Sequence, residues 1–126
     1  MKVRETSFRL KRFEVEEKRR KVSDLELMIR EFEYMAVELD RQVQCEEDRT
    51  GIKDRAHFAY STLAKAAAQR RDNLRASVAN LQAKLEMAVR ERDDAAADFD
   101  RTGPETQRDH DRLPRRPDRG SSAFMR

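Results

Sequence analysis

The chain has no tryptophan, one cysteine, three glycines, three prolines and two histidines among 126 residues, and only 6% of it is aromatic. Each scarcity excludes something. One cysteine cannot close a disulfide within the chain, and Cys45, set among Gln44, Glu46 and Glu47, has no basic neighbour to activate it. With two histidines far apart and no paired-cysteine, HExxH or phosphate-cradling glycine pattern, the familiar metal and nucleotide motifs are missing. No run approaches the roughly 20 apolar residues that cross a bilayer, and no apolar stretch of a leader follows the charged N-terminus, so a soluble intracellular chain without membrane insertion is expected. Hydrophobic residues make up 37% and charged residues 42%, too lean for a thick globular core. Whatever apolar surface is buried must lie along a seam.

The scarce breakers are also unevenly placed. Every proline lies beyond residue 102 (Pro104, Pro114, Pro117), and the glycines stand at 51, 103 and 120. They divide the chain into two long uninterrupted blocks and a tail. In the first block, steps of seven from Phe8 give Val15, Val22, Ile29, Ala36 and Val43, with Leu25, Phe32 and Leu39 between them. This is the a/d pattern of a coiled coil. Lys11, Lys18 and Glu46 occupy the remaining d positions, so the ends of the seam are polar. In the second block the spacing selects Ala67, Arg70, Leu74, Val78, Leu81, Leu85, Ala88, Arg92, Ala95 and Phe99, with a stutter of two four-residue steps around Leu74. Ser61 suits an N-cap, Asp54 a short turn through His57, Gly51 the end of the first helix and Gly103-Pro104 the end of the second. The expected organisation is all-α: a helix over 3–49, a loop over 50–60, a helix over 61–101, and a disordered tail over 102–126.

Charge decides how the helices pair. Residues 1–21 carry nine Lys/Arg against four Glu, whereas 22–50 carry three against nine acids. The second block repeats this polarity, with four basic residues and one acid over 65–75 and six acids against two arginines over 86–100. An antiparallel hairpin places opposite charges together at both ends, while a parallel pair of first helices would juxtapose like charges. Position i then faces about 110 − i, bringing Leu25 to Leu85 and Phe32 to Val78. Met28, Met35, Leu27, Tyr34 and Leu10 widen the apolar stripe of the first helix, either as flanking packing or as a partner-binding face with methionine as its adaptable element.

Chemistry beyond packing is sparse. Asp54 and His57 have a ligand-like spacing, but two groups make a weak metal site, and a capping role suffices. Asp93-Asp94 and Glu46-Glu47-Asp48 are expected to be ordinary solvated acids, and no catalysis, cofactor or metal is expected. The basic runs Lys18-Arg19-Arg20-Lys21 and Arg115-Arg116 accompany a net charge of only +3 and no aromatic platform, so no nucleic-acid partner is expected.

Three stretches carry a resemblance: LKRFEVEEKRRKVSDLELMIREFE from Leu10, EEDRTGIKDRAHFAYS from Glu46, and AAAQRRDNLRASVANLQAKLE from Ala66. Together they resemble the FliJ family of flagellar export proteins, in its alphaproteobacterial form, over roughly residues 1–100. The resemblance implies a cytoplasmic component of the flagellar type III export apparatus, peripheral to the inner face of the cell membrane at the flagellar base. It would be a monomer when free, similar to the rotor stalk of rotary ATPases. The implied partners are the export ATPase hexamer, the cytoplasmic domain of the export gate, and export chaperones. Carried over by position, Leu10, Lys11, Arg12, Phe13, Lys18, Arg19 and Arg20 would lie at the ATPase end. Phe58, Tyr60, Gln69, Arg70, Arg71 and Asn73 would lie toward the loop, where a gate contact is implied. The plainer reading pairs Arg70 and Arg71 with Glu38 and Asp40 and has Phe58 and Tyr60 close the loop. Family members continue the second helix further, and a helix stopped at Gly103-Pro104 would leave Phe8 and Phe13 unpaired. The alternative function is a self-assembling or scaffolding coiled coil unrelated to export.

Overall fold

The computed structural model describes the backbone of residues 2–112 and the side chains of residues 3–102. It contains two helices, α1 (Lys2–Thr50) and α2 (Thr62–Arg112), packed against each other. Neither residues 2–50 nor 62–102 contain glycine or proline, so nothing in either stretch interrupts the i to i−4 ladder. Glu5 in the first turn of α1 and Arg49 in its last turn both complement the helix dipole. Gly51 ends α1 at φ +73°, and its N–H donates to the Glu47 carbonyl at 2.8 Å. That single left-handed residue satisfies one of the orphan carbonyls of the last turn without the steric cost of a Cβ.

Helix α2 starts as expected. The Ser61 hydroxyl accepts the Ala64 N–H at 3.2 Å, and the Ser61 carbonyl accepts the Lys65 N–H at 3.0 Å, the arrangement of an N-cap. Its end differs from expectation: α2 runs through Gly103-Pro104 to Arg112. Proline at 104 has no N–H for the carbonyl four residues earlier, so the dipeptide weakens the ladder at one place. On either side of it the sequence supplies ordinary helix formers. The expected stop at 101 and the disordered segment over 102–112 are therefore replaced by helix, and the expected disorder over 113–126 falls outside the described residues.

The chain divides into two compact units. The first, Arg20–Val89, contains the C-terminal part of α1, the loop and the N-terminal part of α2. Here Val22, Ile29, Ala36, Leu39 and Val43 are buried, as their heptad positions predict. Ile29 packs with Val78 and Leu81, and Leu25, Phe32 and Leu85 lie half-buried around them. Phe32 is thus a flank of the core rather than a fully enclosed anchor. Toward the loop, Leu39 and Val43 pack with Tyr60, Ala64, Ala67 and Ala68, beside Ile52 and Leu74. Ala64 and Ala68 are wholly buried. Without a long side chain on α2 at these positions, Leu39, Val43 and Tyr60 fill the space.

The stutter expected around Leu74 is absent. Arg70 is exposed, and it is Arg71 whose side chain is largely covered. With Arg71 in place of Arg70, the α2 seam steps regularly by three and four through Ala64, Ala67, Arg71, Leu74, Val78, Leu81, Leu85 and Ala88. Two adjacent arginines cannot be ranked by hydropathy, so the choice falls to the acceptor across the seam. Arg71 Nη1 donates to Asp40 Oδ1 at 2.6 Å.

The second unit joins α1 through Arg19 to α2 from Arg90 onward. Val15 is buried, and the Phe8 and Phe99 rings lie 5.0 Å apart between centroids, tilted by 37°. Phe8 is therefore paired, contrary to the expectation from a shortened α2, whereas Phe13 is exposed. The polar d positions face acids: Lys11 Nζ lies 3.2 Å from Asp98 and Lys18 Nζ 3.3 Å from Glu91. The pairs Lys11 with Asp98, Lys18 with Glu91 and Asp40 with Arg71 each fall within one residue of the predicted antiparallel register.

Candidate functional site

The residues proposed from sequence do not form one site. They fall into two groups, one in each unit, apart from Arg20, which begins the larger unit.

In the N-terminal group, position in the heptad decides which side chains a partner can reach. Leu10, Arg12, Phe13 and Arg19 are exposed, on turns of α1 that face away from the seam. Arg12 lies 4.0 Å from Glu16 one turn later, a loose surface pair. Lys11 and Lys18 are instead engaged within the unit. Lys11 also donates to Thr102 Oγ1 at 3.0 Å, and its hydrogen bond to Asp98 is the main reason that the Asp98 carboxyl titrates below its ordinary range. Arg20 is exposed and also makes an interaction within the protein.

In the loop group, the backbone makes two successive tight turns. The His57 N–H donates to the Asp54 carbonyl and the Tyr60 N–H to the His57 carbonyl, both at 3.0 Å. Asp54 Oδ1 accepts the Ala56 N–H at 2.9 Å, and His57 Nδ1 accepts the Ala59 N–H at 3.0 Å. Both side chains of the weak metal pattern are thus used as turn caps. Among the described residues no group of three or more His, Cys, Asp or Glu side chains is placed to hold a metal. None of the described helices is long and apolar enough to cross a membrane.

The two loop aromatics separate. Tyr60 is buried, and its hydroxyl donates to Glu47 Oε2 at 2.7 Å, a bond that, with burial, raises the phenol pKa. Phe58 is 96% exposed and its ring stacks on the neighbouring imidazole, with centroids 4.7 Å apart. Tyr60 closes the loop and Phe58 does not. Glu46 departs from the expectation of an ordinary solvated acid. Arg49 bonds it through two nitrogens at 2.8 and 3.0 Å and the Ser61 hydroxyl at 2.8 Å, which draws its pKa down to about 2.

Of the remaining four, Gln69 Nε2 donates to Asn73 Oδ1 at 3.4 Å on the exposed side of α2. Arg71 is held by Asp40 and Asp72, which raise its pKa further. The expected partnership of Arg70 with Glu38 is not made: Glu38 accepts from Arg41 at 2.8 Å, one turn along its own helix. Arg70, Asn73 and Glu38 instead border an open groove of about 510 Å³ whose apolar lining is Tyr34, Met35, Leu39 and Leu74. Tyr34 and Met35 were legible as apolar residues outside the seam. The groove itself was not, because it needs Leu74 of α2 beside them.

Compared with family models, curated proteins and solved structures, the chain matches none. The family reading accordingly rests on the three sequence stretches alone.

Proposed function

We propose that the chain is a non-enzymatic adaptor of the flagellar type III export apparatus, a hairpin stalk that binds the export ATPase ring and the export gate and assists export chaperones. The observation that carries this reading is the antiparallel pairing of two long helices whose seam is satisfied internally while Leu10, Phe13 and Phe58 stand exposed. A hairpin of this kind needs no partner to complete its own interface, and these side chains remain available for contact. Two exposed apolar groups with Arg12 and Arg19 beside them suit insertion against an acidic or mixed surface of a ring, where aromatic and arginine contacts carry most of the binding energy. Lys11 and Lys18 have the supporting role of holding α2 in register. Phe58, on a loop fixed by its own turns, is the contact offered to the gate.

The test is the turnover of the flagellar export ATPase from the same organism, titrated with the full chain while light scattering follows ring assembly. Stimulated turnover together with ring formation is expected, with Leu10→Ser/Phe13→Ser losing both effects and Phe58→Ser keeping them. No binding and no stimulation by a folded, helical chain contradicts the reading. A self-assembling coiled coil is the other class, and sedimentation separates it: stable dimers or larger species over the working concentration range favour it over an adaptor that is monomeric when free.

A further inference from the structure

We propose that α1 carries, outside its seam, a docking face for an amphipathic helix of a partner protein, with leucine-like residues on its contact side and lysine or arginine along the margin. The face is argued from exposure, charge and a groove over residues 24–39 and 70–74 and not from the export reading; it uses none of the residues assigned to the ATPase end, and Arg70 and Asn73 at its edge are among those the resemblance places toward a gate contact.

Single exposed hydrophobics are normal on any surface. Here four stand on one stripe: Leu27 (49% exposed), Met28 (41%), Tyr34 (67%) and Met35 (42%). Their spacing of one, six and one residues places them as two adjacent pairs, two turns apart, on a single side of the helix. Asp24, Glu31 and Glu38 fall between them in the same three-and-four rhythm, so a column of carboxylates runs between Leu27 and Tyr34 on one side and Met28 and Met35 on the other. Asp24 and Glu31 are exposed and have no ion pair among the described residues, while Glu38 pairs with Arg41. At its C-terminal end the stripe opens into the groove floored by Leu39 and Leu74, with room for more than one apolar side chain.

These features specify the occupant. A second seam at helical spacing fits a helix laid alongside, read by anchors at i, i+3 or i+4, and i+7. Met35 at the groove and Met28 two turns before it on the stripe let the surface repack around different apolar anchors. The carboxylate column selects a partner with basic residues next to those anchors and sets its orientation. A second copy meeting the same face two-fold would bring the columns of Asp24, Glu31 and Glu38 together, and like charges disfavour that pairing.

Binding is measured with the full chain by fluorescence anisotropy, using a labelled leucine/lysine model peptide of about 18 residues, or five turns, with leucines at helical spacing. Its leucine/glutamate counterpart is the control. Saturable binding of the lysine peptide alone is expected, weakened by about tenfold or more in Tyr34→Ser/Met35→Ser and in Glu31→Lys. Glu33→Lys, the same charge change on an exposed position away from the stripe, should leave it unchanged. Circular dichroism of each variant confirms that helicity is kept. Equal binding of both peptides, no binding of the lysine peptide, or equal losses in Glu31→Lys and Glu33→Lys would overturn the proposal. So would sedimentation showing a dimer that Tyr34→Ser/Met35→Ser dissolves, which would assign the face to a second copy.

Discussion

The unit spanning Arg20–Val89 and the unit formed by the start of α1 with the end of α2 obey the same heptad frame but fill it with different chemistry. In the larger unit the buried positions are valine, isoleucine, leucine, Tyr60 and five alanines, with Asp40 and Arg71 as a charged pair between the helices. In the other, two successive d positions are lysines paired with Asp98 and Glu91, and apolar contact is carried by Val15 and the Phe8–Phe99 pair. Burial of apolar surface contributes about 25 cal/mol per Å² whatever the pairing direction, whereas partly exposed ion pairs contribute little net stability but discriminate between orientations. The comparison teaches a division of labour. The apolar unit supplies most of the stability, and the polar rungs fix which way the helices run and in what register.

Substitutions can break that division in order of size. Ile29→Ala removes a buried side chain that touches Val78 and Leu81 and should cost about 2–4 kcal/mol, read from urea unfolding. A loss under about 1 kcal/mol would move the stabilising core elsewhere. Ala68→Leu forces extra volume into a site with no exposure and should cost about 1–3 kcal/mol. An unchanged or raised melting temperature would show that the loop end is loosely packed. Lys18→Met exchanges a polar rung for an apolar one and should change the melting temperature least, while making it less sensitive to added salt. A large drop in stability would overturn the secondary role given to these pairs.

Acid sharpens the same comparison. Glu46 and Asp98 have folded-state pKa values below their ordinary ones, so the stability they contribute is present above the unfolded pKa and disappears as pH falls through the folded value. For Glu46 that window runs from 4.5 down to about 2. Glu46→Gln should flatten the fall of melting temperature across this window while leaving the Asp98 contribution in place. An identical pH profile in the variant would mean that the Arg49 and Ser61 contacts do not persist in solution.

Much of the hairpin was legible because hydrophobic contrast is strong where it matters. Val15, Val22, Ile29, Ala36 and Val43 were placed in the seam by spacing, and all are buried. The antiparallel register followed from charge blocks and agrees with three cross-helix pairs. Legibility failed where contrast vanishes. Ala64 and Ala68 sit in a run of alanines that carries no periodic signal, and Arg70 and Arg71 are indistinguishable until Asp40 is placed opposite. The stop at Gly103-Pro104 failed for another reason: a local breaker shows that continuation is costly, not that the helix ends. Of the candidate residues, sequence could name exposed-looking aromatics but could not tell Phe58, which points outward, from Tyr60, whose hydroxyl finds Glu47 and is drawn into the loop core. The face built on Leu27, Met28, Tyr34 and Met35 was half visible, since its spacing is in the sequence and its groove is not.

The division between the two units is tested most directly by native-state hydrogen exchange resolved along the helices. Slow exchange is predicted over 22–43 together with 64–88, both protected to the same free energy, with faster exchange over 3–19 and 90–102. Uniform protection along both helices, or slower exchange in the ion-paired unit, would contradict it.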